Sequence, residues 1–141
     1  METTSKKVIA INIEINAPIE KVWTYFSEPE HITKWNNASD DWFTPNSTND
    51  FKVGGSFNNR MEAKDGSIGF DFTGTYDAIT PHEYIEYTLT DGRKVKIIFS
   101  SKDDKTKMEE SFEAETSNKE EVQKKGWQSI LDNFKKYVEN N

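Results

Sequence analysis

Glu110 stands between Met108 and Phe112 at the two-residue spacing of a strand, in the run Lys107-Met108-Glu109-Glu110-Ser111-Phe112. The alternation that buries Met108 and Phe112 turns Glu110 inward with them and leaves Glu109 and Ser111 to solvent. A buried ion without a partner costs several kcal/mol, so an inward carboxyl must be paired, neutralised or in contact with a polar ligand group. The competing reading is a bulge that turns Glu110 outward. Asn59, between Phe57 and Met61, is a second inward polar candidate, placed to hydrogen-bond a ligand head group or Glu110. Glu110 converging with Tyr76 or Tyr87 would make an acid and base pair.

Other constellations are weak. His31 lies in a short helical segment next to Trp35 and His82 follows Pro81 in a turn, so both read as surface residues. No third ligand stands at zinc spacing, so neither a metal site nor a cofactor is expected. Gly54-Gly55 lacks the Gly-x-x-x-x-Gly-Lys surroundings of a phosphate loop and reads as a hairpin or bulge. Asp40-Asp41, Asp103-Asp104 and Glu120-Glu121 read as solvated loop or helix-start charge, with Asp40, Asp41 and Trp42 as candidates for the rim of a cavity. Zero cysteines exclude disulfides, thiolate metal sites and cysteine nucleophiles.

The elements that must position these residues follow from periodicity. Ile9, Ile11, Ile13 and Ile15 alternate with Ala10, Asn12 and Glu14, a strand with one apolar face. Pro18 suits the first turn of a helix whose stripe is Ile19, Val22, Trp23 and Phe26 and which runs to about Ser27, where Pro29 breaks it. A second short helix is expected over Glu30 to Lys34, ending at Trp35, then a loop from Asn36 to Asp41 and a strand around Trp42 and Phe43. Strands follow at Ser56 to Ala63, Ser67 to Ile79, Tyr84 to Thr90, Lys94 to Ser100 and Thr106 to Glu115. Gly54-Gly55, Asp65-Gly66, Pro81-His82 and Asp91-Gly92 punctuate them. A long last helix starts near Ser117 or Asn118, capped through Glu120 or Glu121, with the stripe Trp127, Ile130, Leu131, Phe134 and Val138. The plan is α+β: a curved antiparallel sheet around a long C-terminal helix, with two short helices after the first strand, in one domain spanning residues 1–141.

Composition agrees with a folded, ring-rich chain. Only 33% of residues are apolar, yet 13% are aromatic, and large rings supply the burial that the low apolar count withholds. Alternation gathers Phe57 and Met61, then Ile68, Phe70, Phe72, Gly74 and Tyr76, then Tyr87, Phe99 and the helical Trp127 and Leu131 on faces that point at one another. They form either a filled core or the lining of a ligand cavity, with Gly74 leaving space for a guest. The 18 Lys and Arg against 25 Asp and Glu give a net charge of −7, which disfavours nucleic acid as a partner. Met1 to Lys7 is polar and no run approaches the ~18 apolar residues of a membrane span, so a cytoplasmic protein without membrane insertion is expected.

The segments Ala17-Pro18-Ile19-Glu20-Lys21-Val22-Trp23, Pro29-Glu30-His31-Ile32-Thr33-Lys34-Trp35, Val53-Gly54-Gly55-Ser56-Phe57, Met61-Glu62-Ala63-Lys64-Asp65-Gly66-Ser67 and Gly126-Trp127-Gln128-Ser129-Ile130-Leu131-Asp132-Asn133-Phe134 resemble, in order and spacing, the activator-of-heat-shock-protein-90-ATPase homologues of the START-like (SRPBCC) superfamily. The resemblance runs from about Val8 to Val138 and implies the helix-grip fold. It also implies a deep hydrophobic cavity for a small apolar or amphipathic molecule such as a lipid, sterol or polyketide. Two alternatives come with it: a chaperone partner whose ATPase is stimulated, or cyclase- or hydrolase-like chemistry on an inward carboxylate. The name-giving eukaryotic activators join this fold to a separate amino-terminal domain, which is not expected within these 141 residues. A non-catalytic binding protein is the leading expectation, with Trp35, Trp42, Phe57, Asn59, Met61, Phe70, Phe72, Tyr76, Tyr87, Phe99, Met108, Glu110, Trp127 and Leu131 around the ligand.

Overall fold

A computed structural model of the chain describes residues 7–116 and 118–141. The amino-terminal reading of Met1 to Lys7 therefore falls almost wholly outside the described residues, as does Ser117. In β1 (Val8–Ile15) the four isoleucines are buried and their neighbours exposed, as strict alternation requires. Pro18, extended at φ −68°, precedes α1 (Ile19–Ser27). Pro29 does more than end that helix: it occupies the opening position of α2 (Pro29–Trp35), where the missing N–H goes unneeded. The sheet continues with β2 (Trp42–Asn49), β3 (Ser56–Ala63), β4 (Gly69–Thr80), β5 (Tyr84–Leu89), β6 (Lys94–Lys102) and β7 (Lys105–Glu113), and the chain closes with α3 (Glu120–Asn140).

Several boundaries depart from the sequence expectation for identifiable reasons. β2 extends to Asn49 although Pro45 and three asparagines or serines dilute its pattern. It is an edge strand, its register against β3 shifts between Phe43 and Asn46, and the shift accommodates a proline that cannot donate. β4 starts at Gly69, which leaves Ile68 60% exposed in the turn instead of inward. A second shift, between Tyr76 and Ala78, lets β4 bend while its far end still pairs with β5. Asp103 and Asp104 are more than solvated charge, because both adopt positive φ and form the two-residue turn that joins β6 to β7. The helix cap is also different. Lys119 is the cap residue of α3 and no side chain caps it. The buried Gln123 instead ties the preceding loop to the helix, accepting from Glu115 N at 2.8 Å and donating to the carbonyls of Glu115 and Asn118.

The seven strands are antiparallel throughout, in the order β1-β7-β6-β5-β4-β3-β2. The two short helices carry the chain from one edge of this sheet to the other. The sheet curls into a half-barrel around α3, which is the helix-grip fold. α3 packs over β1 and touches α1 and α2. There Phe134 and Val138 join the isoleucines of β1 with Val95, Ile97, Met108 and Phe112 in a closed core. Toward β3 and β4 the same concave face meets the helix less closely.

Candidate functional site

The gap between α3 and the β3–β4 half of the sheet is a cavity of about 400 Å³. That size lies within the range of small-molecule sites. Its wall draws on every layer: Phe57, Asn59 and Met61 from β3, Phe70, Phe72 and Tyr76 from β4, Tyr87 from β5, and Glu110 from β7. Trp127, Ile130 and Leu131 of α3 and Trp35 of α2 complete it. Strand register explains the grouping, since Phe57 pairs with Gly74, Asn59 with Phe72, Met61 with Phe70, and Tyr76 with Tyr87.

Rings form much of this wall and brace one another. Phe57 lies edge-on to Tyr87 at 5.0 Å and tilted against Tyr76 at 5.4 Å. Trp127 stacks on Phe112 at 4.0 Å and presents its edge to Phe72 at 5.9 Å. Phe70 is 44% exposed and Val122 57% exposed. Both line the cavity and mark where it meets solvent, between the start of β4 and the first turns of α3. At Gly126, also on the wall, an added Cβ would meet nothing within 4 Å. A glycine inside a helix costs about 0.5–1 kcal/mol relative to alanine. Here it leaves the cavity wider without relieving any clash.

Three expected residues lie elsewhere. Phe99 is buried among Trp23 at 5.0 Å and Phe26 at 5.8 Å, so rings of α1 fill the space beside it. Met108, its register partner on β7, sits in the same closed part of the core. Trp42 begins the edge strand and packs on Phe70 at 5.8 Å without lining the cavity. Asp40 and Asp41 are exposed in the turn before it and take no part in the wall. Gly74 also has a different role. A Cβ there would lie 2.9 Å from the Phe57 ring and from the Thr88 carbonyl oxygen, so the missing side chain seats Phe57 and leaves no room for a guest.

The polar groups divide sharply by whether they are satisfied. Tyr76 donates its hydroxyl to Asn49 Oδ1 at 2.7 Å, and Asn49 donates in turn to the Ser27 carbonyl at 2.6 Å, tying β4 to α1 across the wall. Asn59 Oδ1 accepts from Ser47 at 2.7 Å, so its partner is the neighbouring strand and not Glu110. Arg93, just past the Asp91-Gly92 turn, lines the cavity with its Nε held by Asp91 at 2.8 Å. Glu110 is different. It is 6% exposed and faces the cavity, and among the described residues no hydrogen bond or ion pair engages its carboxyl. Burial pushes its pKa from the ordinary 4.5 to about 8, so it carries its proton at neutral pH. Tyr87 is raised well above 10, first by burial and then by the nearby Glu110. Neither tyrosine hydrogen-bonds Glu110 among the described residues.

Sequence reasoning passed over Asn49, Arg93, Gln123 and Gly126. Phe26 and Ile130 were visible on their helical stripes, but nothing in the local pattern distinguished the first four from surface residues. His31 is half-buried and not a surface residue: it stacks on Tyr25 at 4.0 Å and its Nδ1 pairs with the Tyr137 hydroxyl at 2.8 Å. His82 is exposed, edge-on to Trp23 at 5.7 Å. Glu28, Glu30 and His31 bring potential ligand atoms within 4.8 Å, but both acids are exposed and the group lies outside the cavity.

The family model described as Activator of Hsp90 ATPase homolog 1-like protein matches residues 16–139. The chain belongs to this family of Hsp90-ATPase-activator homologues. Two solved structures share much of its sequence. The AHSA1-like protein from Aeromonas hydrophila is 46% identical, with 94% of this chain and 93% of that one covered and a TM-score of 0.85. A protein from Cytophaga hutchinsonii is 50% identical, with 94% and 92% covered and a TM-score of 0.82. A protein from Chromobacterium violaceum, 22% identical over 96% of this chain and 99% of its own, shares the fold at a TM-score of 0.83. No curated protein matches the chain. The START-like superfamily assignment fits the family and the fold alike. Among the described residues, no helix of this family member is long and apolar enough to cross a membrane.

Proposed function

We propose that this family member is a non-catalytic binding protein that holds a small apolar or amphipathic molecule, a lipid among the candidates, between its sheet and α3. The observation that carries this reading is the ring-lined cavity of about 400 Å³, in which most polar groups are already satisfied by the protein itself. Apolar lining with a few placed polar groups is what small-molecule sites share. In this reading the protein works in the cytoplasm, in keeping with a chain free of cysteine.

The test is native mass spectrometry together with thermal shift against fatty acids, sterols and aromatic metabolites. A ligand at a hundred times its dissociation constant adds about 2.7 kcal/mol to stability, a shift of several degrees for a chain of this size. Gly126 lines the cavity and an added Cβ there meets nothing within 4 Å, so Gly126→Leu is expected to keep the fold and lose the response. A protein that gains neither mass nor stability with any member of the panel contradicts the reading.

The family description supports a second reading, in which the protein docks on an Hsp90-type chaperone and stimulates its ATPase. The net charge of −7 would complement a basic patch on that partner and make the association salt-dependent. Stimulation of the chaperone ATPase from the same organism checks it. No stimulation and no co-purification at micromolar concentration would remove it.

A further inference from the structure

A cavity that takes only hydrocarbon would be lined best by hydrocarbon. Met108 and Phe112, on either side of Glu110, show that this strand accepts large apolar side chains on the same face. Yet the position between them is a carboxyl, nine-tenths buried, open to the cavity and unpartnered among the described residues. A group so placed is stabilised by whatever can supply the missing partner. The surroundings favour a cation. Rings of Tyr87, Phe57 and Trp127 stand on the same wall, and aromatic faces attract ammonium groups. The cavity's basic side chain among the described residues, Arg93, is already engaged by Asp91 at 2.8 Å, and Glu115 adds a second acid to the wall. A carboxylate ligand would meet Glu110 as a like charge.

We propose that the cavity selects an amphipathic amine, whose ammonium group pairs with the Glu110 carboxylate while its apolar body lies between the sheet and Trp127. This rests on the reading that the cavity is a ligand site, and it names the chemical class of that ligand. Glu110 is protonated in the free protein at neutral pH and ionised in the complex. Binding of one ammonium ion therefore releases one proton from Glu110 to solvent. The groups facing Glu110 do not mask that exchange. Tyr87 of β5 and Tyr76 of β4 are raised above 10 and stay neutral. Arg93 is held by Asp91 at 2.8 Å, Glu115 is the second acid on the wall, and α3 contributes Gln123, Trp127 and Leu131, which carry no titratable group.

Isothermal titration calorimetry with decylamine, decanol and decanoate decides the matter, since the three share a chain and differ only in the head group. Decylamine is expected to bind at least tenfold more tightly than decanol at pH 8. Its affinity should rise about tenfold per pH unit from 6 to 8 and level off above, with about one proton released per amine bound near neutral pH. Decanol affinity should show no such rise. In Glu110→Gln the amine preference and the proton release should vanish while decanol still binds. Equal binding of amine and alcohol, a preference for decanoate, or an amine preference that survives Glu110→Gln each overturns the proposal and leaves the cavity reading standing. Binding of none of the three overturns the amine proposal, and the panel of fatty acids, sterols and aromatic metabolites then decides the cavity reading. The head-group comparison and the proton count are made on the native sequence, so the test does not depend on the variant folding.

Discussion

Replacing Glu110 by glutamine should stabilise the protein, and by an amount that grows with pH. In the folded state burial holds the Glu110 pKa at about 8, against an ordinary 4.5 in the unfolded chain. Below pH 4.5 the carboxyl is protonated in both states and contributes no pH dependence. Between 4.5 and 8 the unfolded chain sheds the proton while the folded protein retains it, so ionisation favours unfolding and stability falls as pH rises. Above 8 both states are ionised and the loss is complete. Each pKa unit is worth about 1.4 kcal/mol, so the loss reaches about 3 kcal/mol at pH 7 and 4–5 kcal/mol above pH 8. Glutamine keeps the shape and polarity of the protonated acid without the titration. The assay is urea unfolding of the native protein and Glu110→Gln at pH 4, 5.5, 7 and 8.5. The difference between the two curves matters most, because the other titrating groups cancel in it. We expect near equality at pH 4 and an advantage of about 3 kcal/mol for the variant at pH 7, roughly 10 °C in melting temperature. A difference that stays constant across this range would refute the burial argument for Glu110.

Three further outcomes follow from packing. Gly74→Ala should cost about 1–3 kcal/mol by overpacking, because its Cβ would meet the Phe57 ring and the Thr88 carbonyl at 2.9 Å; denaturant melts check this. Phe134→Ala removes a fully buried ring that meets Trp35 at 4.7 Å and Phe26 at 5.4 Å, and should cost about 3–5 kcal/mol in the same assay. Thr106→Val should cost about 1–3 kcal/mol, since it leaves the Ala17 carbonyl without the hydroxyl that donates to it at 2.9 Å in the core; thermal unfolding measures it.

Much of the fold was legible because one-sided burial imposes a period. The isoleucines of β1 and the stripe Leu131, Phe134 and Val138 of α3 declare their faces directly. Met108 and Phe112 suggest an inward Glu110 but leave an outward bulge open, and the unbroken register of β7 with β1 and β6 decides between them. What stayed hidden depends on partners distant in sequence. Asn49 joins the wall because Tyr76 of β4 reaches it, and Gln123, in the first turn of α3, bonds back to Glu115 eight residues earlier. Gly74 looked like space for a guest until the Phe57 ring, fixed by the β3–β4 register, was seen to occupy that space. Alternation also sorts residues by face but not along it. It could not separate Phe99, under the rings of α1, and Met108 beside it from Phe57 and Phe72, which line the cavity.

The measurement that bears most directly on the binding reading is a set of intermolecular nuclear Overhauser effects recorded with a bound alkyl ligand such as decylamine or decanol. Contacts from the ligand chain to the ring protons of Phe57, Phe72 and Trp127 are the expected result. Contacts confined to exposed apolar residues outside the cavity, such as Val53 or Ile98, would contradict it, as would a ligand that saturates the protein without touching those three rings.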